Sequence, residues 1–134
     1  MTGNARAKAA YQETQAETGL YAGNAEEATL VVLGELIKSM RLFTTHVNPR
    51  EGKPEIRAHH FSRALTIIYA LQSGLDKDKG GALAGRLFQL YEYARQAIIN
   101  DMRTGHDASS SSACATLGEV FDAWQVAYTQ GAAK

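Results

Sequence analysis

The chain has one cysteine, two prolines and no excess of either charge. A single thiol, Cys114, closes no internal disulfide and builds no cysteine-rich zinc site; its expected place is that of a small buried apolar residue. Fourteen Lys and Arg balance fourteen Asp and Glu without a long run of one sign, so the electrostatic footprint of a nucleic-acid binder is missing. The longest apolar run, LVVLGELI from Leu30, contains a glutamate and is too short to span a bilayer, and no apolar stretch follows the basic residues near the start. Neither membrane insertion nor a secretory leader is expected, and the cytoplasm is the expected compartment. No stretch alternates with period two, so no strand is predicted.

What is there suits one helical domain. A chain of 134 residues, 45% hydrophobic and 21% charged, can bury roughly two thirds of its unfolded surface in a single core. Residues 1–23 are rich in Ala, Gly, Gln and Thr and read as an N-terminal arm, loosely docked, with Tyr11, Leu20 and Tyr21 as its large side chains. Residues 24–130 carry the helical pattern, and 131–134 form a small-residue tail.

The first helical segment opens on Asn24 as N-cap, with Glu27 three residues on to complete a capping box. Leu33, Leu36, Ile37, Met40, Phe43 and Val47 then recur at three- and four-residue steps on one face. The segment from Asn48 to Lys53 is a loop, and Pro54 suits the first turn of the next helix, where its missing N–H is not needed. Phe61, Ala64, Leu65, Ile68, Leu71 and Leu75 form the second stripe. A charged turn, Asp76 to Lys79, leads into a third helix from about Gly81 to Thr104, with Leu83, Leu87, Leu90, Ala94, Ile98 and Asp101 in register and Gly105 as C-cap. There Asp101 is expected at a fraying end. After a serine-rich connector, His106 to Ser112, the fourth stripe runs through Ala113, Leu117, Val120, Phe121, Trp124 and Tyr128. Four amphipathic helices on short connections predict an all-α, antiparallel up-down four-helix bundle.

Tests for chemistry mostly fail on spacing. Asp76, Asp78 and Gly81 suggest a calcium loop, yet its fifth position falls on Gly80 and its twelfth, which needs a bidentate glutamate, on Leu87. The Gly80-Gly81 pair follows no strand and precedes no Lys-Ser/Thr, so it is no phosphate cradle. His59 and His60 point about 100° apart on a helix and do not ligate one metal as an i, i+4 pair would. A histidine phosphotransfer domain is also a small four-helix bundle with an exposed histidine on its second helix, but Arg63 stands in AHHFSR where that motif needs a glycine. The serines from Ser109 to Ser112 have no positioned base. No catalytic residue, metal ligand or cofactor is expected.

An apolar surplus remains. Val31, Leu42, Ile67, Phe88, Ile99 and Val126 lie off the core stripes, and Tyr91 flanks one. Where several such residues adjoin, they make a patch that can receive a partner's amphipathic helix; where they do not, they are ordinary half-exposed packing.

The order LxSxLDxxKGGxLAxxLxxLYxY, carried by Leu71, Ser73, Leu75, Asp76, Lys79, Gly80, Gly81, Leu83, Ala84, Leu87, Leu90, Tyr91 and Tyr93, resembles the flagellar secretion chaperone FliS family. Ala10-Tyr11-Gln12, Glu26-Glu27, His60, Arg63-Ala64, Ile67-Ile68 and Ala123-Trp124 extend the resemblance. It implies a cytoplasmic bundle, not an enzyme, that holds the disordered C-terminal region of flagellin and prevents premature polymerisation before export. Segments of that partner would become helical as they wrap the bundle, near an arm bearing Tyr11. The residues expected to meet the partner are Tyr11, Val31, Leu42, Ile67, Phe88, Tyr91 and Ile99. The alternative partner is another component of flagellar export.

Overall fold

The computed structural model describes residues 25–75 and 77–133, and side chains over 27–75 and 81–130. The arm, with Tyr11 and the expected Asn24 cap, lies outside the described residues. Among the described residues four helices follow in order: α1 (Ala25–His46), α2 (Pro54–Ser73), α3 (Lys77–Thr104) and α4 (Ala108–Ala133). Each packs on its neighbours in the chain, and α4 closes the ring against α1.

Side-chain contacts fix the directions. Ser39 and Glu35 of α1 meet His60 and Arg63 of α2, so numbers fall on one helix as they rise on the other. Asp101 of α3 meets Ser110 of α4. The start of α1 meets the end of α4, where the Tyr128 hydroxyl donates to Glu27 at 3.4 Å, and the Cys114 thiol donates to the Ile37 carbonyl at 3.7 Å. This is the expected up-down bundle, with α1 and α3 on one diagonal and α2 and α4 on the other.

The core takes Leu33, Leu36, Ile37, Met40, Phe43 and Val47 from α1 and the turn after it, as the stripe predicts. Ala64, Ile68 and Leu71 of α2, Ala94 and Ile98 of α3, and Ala113 and Leu117 of α4 join them. Cys114 is half-buried, and burial pushes its thiol pKa up.

Several expectations need correction. Ile67 was expected off the core stripe and is 2% exposed. It lies seven residues beyond His60 on the side of α2 that faces α1, and a helix flanked on two sides buries an arc wider than one stripe. Tyr91, expected to flank the stripe, is 1% exposed and belongs to the core. Leu83 is in register with Leu87 and Leu90 yet 64% exposed, because its turn lies at the bundle end, just past a backbone break. That break is Gly81, with φ 54° and ψ −129°, a conformation only glycine adopts readily. Ahead of it, Lys77 to Gly80 are helical, where the charged turn was expected.

The serine run is not a connector either. Ser109 to Ser112 form the first turns of α4, and Asp101, far from fraying, is 1% exposed. One Asp101 carboxylate oxygen accepts both the backbone N–H and the hydroxyl of Ser110, each at 2.6 Å. A side chain from α3 thus satisfies an orphan amide in the first turn of α4, the work an N-cap residue normally does. Gly105 closes α3 as expected, with φ 78° and its N–H on the Asp101 carbonyl at 2.8 Å. At the other end, α4 extends through residues 131–133, which were expected as tail.

Candidate functional site

A partner that folds against a helical bundle needs apolar surface that the bundle leaves open. On α3, Phe88 and Ile99 are partly at the surface. They stand eleven residues apart, three turns of one face, and both are half-buried on the side turned toward α2. The register across this seam is set by Gln72, whose side-chain amide donates to the Phe88 carbonyl at 3.4 Å and to Glu92 at 3.3 Å. Counting back along α2 from Gln72 puts Tyr69 one turn along the seam and Leu65 the next. Tyr69 is 40% exposed and Leu65 half-buried against the core.

Hydrogen bonds link the polar groups of the seam. Arg95 holds the Glu92 carboxylate with two bonds, at 3.0 and 2.6 Å, and Gln96 adds a third at 3.1 Å. Those donors, with Arg95 first, hold the Glu92 pKa down to about 2. The group therefore stays ionised at any physiological pH and presents a fixed charged edge beside Tyr69, Phe88 and Ile99. Apolar anchors rimmed by a satisfied polar network are the make-up of a recognition surface.

Tyr11 lies outside the described residues, and the structure does not bring Val31, Leu42, Ile67 or Tyr91 to this surface. Val31 and Leu42 lie together on the outward face of α1, half-exposed and exposed respectively, across the bundle diagonal from α3. Val126 is exposed near the end of α4. Ile67 and Tyr91 are core residues and reach no partner while the bundle is closed. The Tyr91 hydroxyl is buried, with no hydrogen-bond partner among the described residues, and burial pushes its pKa up to about 12. Tyr69 was missed: it falls between the second stripe and the polar face, and only the partner helix shows which side of that boundary becomes a seam. Tyr93, also exposed, lies on the opposite flank of α3, where its hydroxyl donates to Ser112 at 3.4 Å.

The two adjacent histidines of α2 differ in setting. His59 is exposed, with its ring edge-on to that of His60, which pairs with Ser39. Among the described residues no group of three His, Cys, Asp or Glu is placed to hold a metal ion, and no helix is long and apolar enough to cross a membrane.

Comparison with known proteins gives these surfaces a family. The model of the family described as Flagellar protein FliS matches residues 6–131. The Flagellar secretion chaperone FliSB of Pseudomonas aeruginosa is 37% identical over 76 residues, which cover 56% of this chain and 59% of that relative. No solved structure gives a significant match. With a family match across nearly its whole length and the helical bundle that the central signature implies, the chain belongs to the Flagellar protein FliS family.

Proposed function

We propose that this protein is a cytoplasmic chaperone of flagellar export that binds the disordered C-terminal region of flagellin and keeps it from polymerising before secretion. Family membership over residues 6–131 is the observation that carries the reading. The α2–α3 seam adds a physical site to it, since Tyr69, Phe88 and Ile99 offer apolar anchors along about three helical turns, enough to seat an amphipathic segment. The chain acts by binding, with no chemistry and no cofactor. Coupled folding of the partner buries on the order of 1,000–3,000 Å² and gives back several kcal/mol in ordering, which suits firm holding with later release.

Calorimetry with a C-terminal flagellin peptide tests the reading. Binding with a negative heat-capacity change and a gain of peptide helicity is the expected result. If the peptide does not bind while another flagellar export component is retained from a cell lacking flagellin, the chain is an adaptor in the same process.

A further inference from the structure

Phe88, Arg95 and Ile99 lie along one side of α3, with Arg95 seven residues past the first anchor and four before the second. Two turns of helix separate it from Phe88 and one turn from Ile99. A segment seated on both anchors therefore passes over this arginine in mid-course.

A guanidinium carries N–H donors on all three of its nitrogens, in a fixed fork. Arg95 commits Nε and Nη2 to the two oxygens of Glu92, at 3.0 and 2.6 Å. Its remaining N–H groups have no partner among the described residues, and the side chain keeps 38% of its surface exposed. Glu92 holds the fork in one orientation, so the donors left over are in place before a partner arrives and less side-chain entropy is lost on binding.

No other carboxylate on the described parts of α2 and α3 is at hand for those donors. α2 has no Asp or Glu beyond Glu55 in its first turn, and α3 has, besides Glu92, only Asp101, which is buried against Ser110. The charge of Glu92 is met by more than Arg95, since Gln96 and Gln72 donate to the same carboxylate at 3.1 and 3.3 Å. A positive charge that is only partly answered thus stands between two apolar anchors.

We propose that Arg95 is a specificity residue of the α2–α3 seam, which selects an amphipathic segment bearing an Asp or Glu side chain between its two apolar anchors. The inference rests on the reading of that seam as the place where a partner docks. For a helix laid along the seam, the anchors stand eleven residues apart, with the acid four from one of them and seven from the other, whichever way the segment runs. The carboxylate belongs to a side chain and not to the partner's C-terminus, because the segment continues past Arg95 in both directions to cover Phe88 and Ile99. Guanidinium–carboxylate bonds are the strong, orientation-dependent kind that separates one segment from another.

The test is selection on the full chain from a displayed library of helix-forming peptides, with apolar residues fixed eleven apart and the positions between them randomised. The wild type should retain peptides with an acid four residues from one anchor, and Arg95→Gln should show no such preference. In calorimetry with a retained peptide, changing that acid to its amide should weaken binding to the wild type at least about tenfold and leave binding to Arg95→Gln unaltered. No retained peptide, retained peptides without an acid there, or equal weakening with both proteins would overturn the proposal. The wild-type selection decides alone should the variant fail to fold. Failure of the seam as a docking site looks different: retained peptides would bind Phe88→Ala as tightly as the wild type, which overturns seam and proposal together. The library holds no flagellin sequence, so the outcome does not depend on flagellin being the partner.

Discussion

At the end of the bundle where α1 turns into α2 and α3 into α4, both corners are tied by polar groups and rest on each other. His46 receives the Lys53 amide, Asp101 receives two bonds from Ser110, and a Cβ on Gly105 would sit 3.0 Å from Pro49 of the facing loop. At the opposite end, where α2 turns into α3, the chain shows a glycine break at Gly81, Leu83 mostly in solvent and Leu75 half-covered. The exposed Val126 lies toward the same end on α4. One end fixes helix register through satisfied polar groups; the other leaves apolar side chains without cover. A binding protein has use for both, since a partner that folds on contact needs a rigid frame beside an open surface.

Substitutions at the two ends separate these roles. The largest effect belongs to Asp101→Ala, which strands the Ser110 amide in the interior and leaves the Ser110 hydroxyl only its longer bond to the Asp107 carbonyl; a loss of about 2–4 kcal/mol is expected in urea unfolding. Gly105→Ala meets both a left-handed backbone and Pro49, and a loss of about 1–2 kcal/mol follows. Removing the solitary hydroxyl with Tyr91→Phe should leave stability unchanged or raise it by up to about 1 kcal/mol, read as the melting temperature. At the open end, Leu83→Ala is expected to change stability by less than about 0.5 kcal/mol, because its side chain is already in water. A Leu83→Ala loss equal to that of Asp101→Ala would erase the distinction between the ends.

The bundle itself was legible in the sequence. Three- and four-residue spacing placed the α1 stripe correctly, Pro54 and Gly105 marked real helix ends, and the glycine pair marked a real break. Two of the errors share one cause. Ile67 and Asp101 lie on helix sides whose neighbours come from elsewhere in the chain, so their burial follows from packing that a single-helix pattern does not contain. Ser109 to Ser112 read as loop because serines favour turns, but Asp101 supplies from another helix the cap that lets them start one. The candidate site divides in the same way: Phe88 and Ile99 stood out as off-stripe apolar residues, whereas Tyr69 becomes their neighbour only once α2 and α3 are in register through Gln72.

The central claim is that the α2–α3 seam holds a flagellin segment. Its most direct test is calorimetric titration of the wild type, Phe88→Ala and Tyr69→Ala with the same C-terminal flagellin peptide, each variant first shown to retain its helical content. The account predicts binding by the wild type and a loss of about 1–2 kcal/mol in each variant, a five- to thirtyfold weaker complex. Binding unaltered in both variants, or lost only on substitution of Val31 and Leu42 on the far side of the bundle, would contradict it.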